Sequence, residues 1–215
     1  MQNKFLLIIG LAVLLLVGYL IHSAVTEPVF LRSDRSLANA DNEPWQSADS
    51  LITIAPIQLG NTRFFLTPRA KYSVTGMLVS KRRYRRGFMS RLSPFDYALI
   101  WGKVPEMLPQ LKFSQTFRFC FFNLRPGAAV DMNYIQNHIS NNHLIPSTDN
   151  IRRALKKVRK KEFVRIDGYL VDVIASSKNK GTSHWKTSLK REDTWGGACE
   201  IIYITKLQIE DRIFE

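Results

Sequence analysis

The sequence predicts an α+β protein: an N-terminal transmembrane helix followed by a β-rich domain with at least one amphipathic basic helix. Three observations support this prediction. They are a long uncharged apolar run near the N-terminus, β-branched and aromatic segments after residue 51, and one segment with helical periodicity near residue 150. We divide the chain into a cytoplasmic N-terminus at 1–4, a transmembrane signal anchor at 5–25, a linker at 26–50 and one soluble α+β domain at 51–215.

The apolar run is Phe5–Ile21, seventeen residues without a charge. As a helix it measures about 26 Å, or about 31 Å when extended to Val25, enough to cross the hydrocarbon core of a bilayer. A cleaved signal peptide is the alternative, but its apolar core is usually shorter, and a cut after Ala24 would place His22 where a small residue is expected. The very short N-terminus is typical of a signal anchor. We therefore expect a single-pass protein of the bacterial inner (cell) membrane with its domain in the periplasm.

The later elements are predicted from local patterns. Strands are expected at Thr62–Leu66, Tyr72–Ser80, Phe113–Asn123, Phe163–Ala175, Trp185–Lys190 and Cys199–Ile209, the last with a kink near Thr205–Lys206. Ser93–Trp101 begins with a capping residue and a proline, which indicates a short helix. A small barrel of the oligonucleotide-binding type is one way to close these strands, although the strand count after residue 161 does not match that topology.

The clearest helix is predicted at Ser147–Lys161. Ser147, Thr148 and Asp149 offer caps, and an apolar stripe follows on Ile151, Leu155 and Val158. The other face of this helix is strongly basic.

The charge of the chain is large and concentrated in its folded part. Thirty-one Lys and Arg against eighteen Asp and Glu give +13, and residues 61–120 alone hold twelve basic and two acidic side chains. We predict a surface for an anionic partner, with Tyr84 available to stack, formed by Lys81, Arg82, Arg83, Arg85, Arg86, Arg152, Arg153, Lys156, Lys157 and Lys160. The partner would be an anionic lipid, a cell-wall polymer, a protein, or nucleic acid if the domain is cytoplasmic. The alternative is a solvated charged face.

Two cysteines and two histidines are candidates for reactive or metal-binding groups. Cys120 and Cys199 could form one disulfide in an exported domain or remain buried thiols in a reducing compartment. His138 and His143 are five positions apart, whereas metal-binding pairs on a helix are usually four apart, so a hydrogen-bonded turn is favoured.

A dense polar and aromatic cluster near the C-terminus allows two interpretations. Its members are Trp185, Ser188, Arg191, Asp193, Cys199 and Glu200. As an active site, Asp193 and Glu200 would exchange protons, and Cys199 would be a nucleophile activated by His143 or His184. As a structural element, the same residues would form a tight turn, and this interpretation is favoured. Accordingly, no catalytic, cofactor-binding or metal-binding residue is assigned.

Four strings in this chain resemble a known group of sequences. They are LSPFDYALIWG (92–102), NHISNNHLIPS (137–147), VRIDGYLVDV (164–173) and WKTSLKREDTWGGACEIIYI (185–204). In this order they resemble an uncharacterised family of membrane-anchored bacterial proteins with a C-terminal W-x-S-S-L-x-R-x-D-T-G-x-G-A-C-E-like motif. This chain has Trp195 where a glycine is more usual. The resemblance covers most of residues 63–207 and implies one shared fold without an activity.

These observations favour a single-pass, membrane-anchored binding or scaffold protein of the bacterial cell envelope with a basic soluble domain. A nucleic-acid-binding module on the cytoplasmic face is the first alternative. An envelope enzyme using Asp193, Cys199 and His143 is the second, and it requires these three side chains to converge in one cleft.

Overall fold

The computed structural model describes residues 2–35, 37, 43–49, 51–178, 181–190 and 199–215 of the 215-residue chain. The α-helices in this part are α1 at Gln2–Thr26, α2 at Met132–Asn137 and α3 at Asp149–Lys157, and a 3-10 helix spans Val104–Gln110. The strands are β1 at Leu31–Arg32, β2 at Trp45–Ser47, β3 at Ile57–Leu59, β4 at Thr62–Arg83, β5 at Phe95–Ile100, β6 at Leu111–Thr116, β7 at Phe119–Leu124, β8 at Ile139–Pro146, β9 at Phe163–Ser177, β10 at Gly181–Trp185, β11 at Glu200–Ile209 and β12 at Arg212–Phe214.

Five of these strands close into a barrel. β4 pairs antiparallel with β5 and β9, β5 pairs antiparallel with β8, and β8 runs parallel to β11, which is antiparallel to β9. Around the barrel, the strands therefore follow as first, second, third, fifth and fourth in chain order. A five-stranded Greek-key barrel is the architecture of the OB fold, which binds oligonucleotides and oligosaccharides in other proteins. The described chain is mostly β, so the predicted α+β class is wrong in its balance, although the basic helix α3 does form.

Irregularities in the strands allow this closure. The pairing register shifts at Pro68/Ala70 and Leu78/Ser80 in β4 and at Ile204/Lys206 in β11, where the kink was predicted. Such bulges bend a strand and increase its twist. A Cβ at Gly168 of β9 would collide with the carbonyl of Tyr203, so a glycine is needed for β9 and β11 to approach this closely.

Helix α3 covers the barrel core. The side-chain oxygen of Thr148 accepts a hydrogen bond from the Ile151 N–H at 3.1 Å and caps the helix. Ile151, Ala154 and Leu155 are buried. They pack with the inward-facing side chains of the strands, which include Tyr72, Val74, Leu78, Phe95, Tyr97, Leu99, Leu144, Val164, Ile166, Leu170, Ile202, Ile204 and Leu207. Each large apolar side chain buried here stabilises the fold by about 1.5–3 kcal/mol.

The chain between β5 and β8 packs on the outside of the barrel. It contains the 3-10 helix, the β6–β7 hairpin and α2. Val104, Leu111 and Ile135 from this insertion are buried against Ala98 and Ile100 of β5. The outer face of the second barrel strand is therefore covered by protein.

Two local predictions were wrong for identifiable reasons. The segment predicted as a short helix at Ser93–Trp101 contains the strand β5, whose six residues are all buried. A strand that is buried on both faces has no polar alternation, so its short apolar run can be mistaken for a helix. The segment predicted as one strand, Phe113–Asn123, is a hairpin that turns at Phe117 and Arg118, both in the left-handed region with φ of 47° and 65°.

Helix α1 does not meet the expectation of a membrane-spanning segment. Its described side chains, at positions 8–20 and 25–26, are all exposed. Among the described residues, no helix is long and apolar enough to cross a membrane. This finding overturns the predicted transmembrane signal anchor at 5–25, and with it the single-pass placement in the bacterial inner membrane and the periplasmic location.

Part of the range predicted as a linker, 26–50, contacts the barrel. β1 pairs with β12, and β2 pairs with β4. The carboxylate of Glu43 lies 3.0 Å from His138 Nε2 and accepts a hydrogen bond from Trp101 Nε1 at 3.1 Å. These contacts place the described residues of this range on the barrel surface.

Candidate functional site

A buried charged cluster lies on the outer face of the second and third barrel strands. Asp96 of β5 and His143 of β8 are opposite each other in the pairing register, and Arg118 reaches them from the turn of the β6–β7 hairpin. One oxygen of Asp96, Oδ1, is 2.8 Å from Arg118 Nη1 and 2.9 Å from His143 Nδ1. We call Asp96, Arg118, His143, Tyr84 and Trp185 the Asp96 cluster. In OB folds this face and its flanking loops bind the ligand.

The Arg118 side chain has hydrogen-bond and aromatic partners in addition to Asp96. Its Nη2 donates a hydrogen bond to the Ser93 carbonyl at 3.0 Å. Its guanidinium lies 4.1 Å from the ring centroid of Tyr84 and 5.2 Å from that of Trp185, distances typical of cation–π contacts. The tip of the β6–β7 hairpin is therefore fixed against the loop that follows β4.

The Asp96 carboxylate is fully buried and sets the electrostatics of this cluster. Burial raises the pKa of Tyr84 to about 12, and the nearby Asp96 charge adds to the increase. Asp96 Oδ2 is buried and has no hydrogen-bond partner in the described part of the chain. A carboxylate at 0% exposure needs a cation beside it, and Arg118 supplies that charge. The arrangement therefore fastens the hairpin to the barrel.

A hydrogen-bond chain extends the attachment below the turn. Ser80 Oγ donates to Gln115 Oε1 at 3.1 Å, and Gln115 Nε2 donates to Asn141 Oδ1 at 2.9 Å. Asn141 Nδ2 in turn donates to the Arg118 carbonyl at 2.6 Å and to Cys199 Sγ at 3.3 Å. The hairpin is thus tied to three barrel strands by side chains as well as by apolar packing.

Both thiols lie close to this chain and are free. Burial raises the pKa of Cys199 to about 11 and that of Cys120 to about 12. A thiol with such a pKa stays protonated at neutral pH, whereas a nucleophilic cysteine requires the thiolate.

The predicted enzymatic triad is only partly within the described residues. His143 and Cys199 lie on the same outer face, because Ile201, two residues from Cys199, is the register partner of His143. Asp193 lies outside the described residues, as does Arg191. The carboxylate that contacts His143 is Asp96, which sequence analysis did not select because a single aspartate in an apolar segment has no motif around it.

His138 and His143 do not form a metal site in the described part of the chain. Within residues 2–35, 37, 43–49, 51–178, 181–190 and 199–215, no group of three His, Cys, Asp or Glu side chains could hold an ion. His138 is stacked on Tyr134 at 3.8 Å between ring centroids and paired with Glu43, away from His143.

The ten basic residues predicted to bind an anionic partner divide into separate environments. Lys81 points under the end of α3, where its Nζ donates to the carbonyls of Leu155, Lys156 and Val158 at 2.8–2.9 Å. Burial lowers the pKa of Lys81 to about 8. Lys81 therefore satisfies the C-terminal carbonyls of a helix, a role that a basic run in a sequence does not reveal.

Most of the remaining nine residues are exposed. Arg152 is half-buried beside Asp149, Arg153 is half-buried, and Lys157 pairs with Glu27. The exposed members of the set are Arg82, Arg83, Arg85, Arg86, Lys156, Lys157 and Lys160.

Exposed aromatic rings lie beside these cations and were not selected from the sequence. Phe117, Phe119 and Phe121 are 87%, 37% and 48% exposed. The hairpin that carries these rings is attached to the loop after β4, because Arg118, next to Phe117, stacks on Tyr84, next to Arg85. Arg83 lies on the other face of β4, with its guanidinium 5.9 Å from the centroid of the Phe95 ring. We define the basic–aromatic surface as Arg82, Arg85, Arg86, Phe117, Phe119 and Phe121. The alternating FRFCFF string carries this signal, but the same alternation also fits the single strand predicted at Phe113–Asn123.

No family model, no curated protein and no solved structure matches this chain.

Proposed function

We propose that the barrel is a binding module for single-stranded nucleic acid and that the ligand lies on the basic–aromatic surface. The observation that carries this proposal is that the hairpin with three exposed phenylalanine rings is attached, through Arg118 and Tyr84, to the segment that carries the exposed Arg82, Arg85 and Arg86. Proteins that bind single strands without reading their sequence combine a positively charged track for the phosphates with aromatic rings on which bases stack.

The charge of the chain supports a phosphate polymer as the ligand. The acidic residues near the basic–aromatic surface are engaged elsewhere: Asp96 with Arg118, and Glu162 with the Arg159 N–H at 2.8 Å. The arginines from 82 to 86 are exposed within one short segment of chain. Such a segment can contact several successive phosphates and release their counterions.

The topology gives support by analogy alone. OB barrels bind oligonucleotides on the face of their second and third strands and on the loop after the first. In this chain that loop carries Arg85 and Arg86, whereas the insertion with the β6–β7 hairpin covers the face of the second strand, so the ligand would lie on the loop and the outside of the hairpin. One fold can carry many functions, so the barrel alone does not indicate a ligand. The main support for nucleic-acid binding is the chemistry of the surface.

The test is fluorescence anisotropy of labelled oligothymidylate with the purified full chain over a series of KCl concentrations. We expect binding that weakens with salt. Replacing Arg82, Arg85 and Arg86 together with glutamine should reduce the slope of log K against log [salt] by about 2, since each phosphate contact on a single strand contributes about 0.7. The matched control replaces three exposed basic residues elsewhere: Lys71, Lys103 and Lys178. Equal losses in both variants would contradict the proposal.

A comparison with heparin distinguishes specific binding of nucleic acid from binding of any polyanion. We expect the triple substitution Phe117→Ala, Phe119→Ala and Phe121→Ala to weaken oligothymidylate binding at least fivefold, because stacking contributes about 1–3 kcal/mol per base. Heparin has no bases, so its affinity should be unchanged. If the triple variant lost the same factor for both polymers, or for neither, the proposed stacking would be wrong.

A further inference from the structure

A cavity of about 500 Å³ lies on the outer face of the barrel, apart from the basic–aromatic surface. One wall is formed by Ile145 of β8 and Tyr203 of β11, and the segment from residue 52 to β3 forms the other. Leu92, from the loop after β4, also lines it. Pockets that hold small molecules measure about 300–1,000 Å³, so this cavity has the size of a ligand site.

The two ends of the cavity differ in chemistry. Its apolar end is lined by Ile54, Ile57, Leu92 and Ile145, which belong to one packed cluster. Its polar end is lined by Ser147, Thr148, Asp149 and Arg152 at the start of α3. A molecule that fills both ends must have an apolar body and one polar group.

Arg152 selects the polar group. Its Nε lies 3.5 Å from Asp149 Oδ1, and its Nη1 lies 3.4 Å from the Arg91 carbonyl. Both distances are at the long limit for such contacts, and the Asp149 side chain is 84% exposed. An anionic oxygen would form shorter, charge-assisted hydrogen bonds with the guanidinium than these partners do.

We infer that this cavity binds a small molecule with an apolar or aromatic body and one carboxylate or phosphate, the anion on Arg152 and the body between Ile54, Ile145 and Tyr203. A medium-chain fatty acid and a nucleoside monophosphate both carry this chemistry. The inference is independent of the proposed nucleic-acid surface, which uses other residues.

Isothermal titration calorimetry of the full chain with decanoate and with adenosine monophosphate tests the inference and distinguishes the two sources. We expect one of them to bind, and Arg152→Gln to weaken it at least tenfold. Lys112→Gln, which removes one positive charge at an exposed site on β6, a strand that contributes no residue to the cavity, should leave the affinity unchanged. Asp149→Asn should tighten binding, because it removes the carboxylate that competes for Arg152.

A second variant fills the site. Ala55 lines the cavity and is exposed, so Ala55→Trp should occupy part of the volume, weaken binding and leave the fold intact. Decanol and adenosine, which lack the anion, should bind weakly and equally to the wild-type chain and Arg152→Gln. Failure of both anionic ligands to bind the wild-type chain would overturn the inference. Equal weakening by Arg152→Gln and Lys112→Gln would also overturn it.

Discussion

Two elements are attached to this barrel by different physical means. Helix α3 is held mainly by apolar side chains that enter the core, with Lys81 closing the helix end. The β6–β7 hairpin is held at its tip by a buried ion pair, Arg118 with Asp96, and by stacking on Tyr84. Apolar attachments lose stability in proportion to the atoms removed, whereas removal of one partner from a buried ion pair leaves an uncompensated charge.

The largest effect is expected for Arg118→Met, which leaves the Asp96 carboxylate buried without its cation. We expect the free energy of unfolding to fall by about 4 kcal/mol, the typical cost of breaking a buried pair on one side. Urea denaturation measures it. The double variant Arg118→Met/Asp96→Asn should recover most of the loss. A double variant less stable than Arg118→Met would show that the charge is not the cause.

On the apolar side, Leu155→Ala should destabilise the protein by about 3 kcal/mol, since it removes a fully buried side chain and leaves a cavity under α3. The same urea measurement applies. Unlike the loss caused by Arg118→Met, this loss should not be recovered by a second substitution at a charged residue. Val158→Ala, at the edge of the same core, should cost less. An effect below that of Val158→Ala would mean that α3 contributes little to closing the core.

A smaller, pH-dependent effect is expected at Lys81. Burial lowers its pKa to about 8 from 10.5, so between these pH values the unfolded chain binds one proton more than the folded chain. The stability of the wild-type chain should therefore rise across this window relative to Lys81→Met, which has no such group. Chemical denaturation at intervals from pH 7 to 10 measures the difference. Parallel curves for the two proteins would contradict the prediction.

The smallest effect on stability is expected at the hairpin tip. Phe117 is 87% exposed at a φ of 47°, a conformation that glycine adopts at lower cost than phenylalanine. Phe117→Gly should therefore leave the free energy of unfolding unchanged or raise it by up to about 1 kcal/mol. Oligothymidylate binding should nevertheless weaken. A variant that lost both stability and binding would show that the ring packs in the fold instead of contacting the ligand.

The sequence contained enough to predict α3 and several strands, but not how they combine. The Thr148 cap and the stripe on Ile151 and Leu155 are local signals, and the helix forms where they occur. The order of strands around the barrel depends on long-range pairing, such as the parallel contact of β8 with β11, which no local pattern encodes.

The candidate site was less predictable for the same reason. Asp96 is significant only because Arg118 reaches it from a turn twenty-two positions away. Lys81 and Arg82 are adjacent in a basic run, yet one satisfies helix carbonyls and the other is exposed. Side-chain alternation across β4 separates their roles, and a one-residue register shift at the Leu78/Ser80 bulge decides which of them points inward.

The parallel pairing of β8 with β11 has a consequence for how this chain folds. β11 lies between β8 and β9, so the barrel cannot close until residues 200–209 are available. Before that point two long strands present unpaired backbone groups at their edges, which is the condition under which chains associate with one another. Folding of this barrel is therefore completed by its last strand, and a newly made chain is most exposed to aggregation just before β11 inserts.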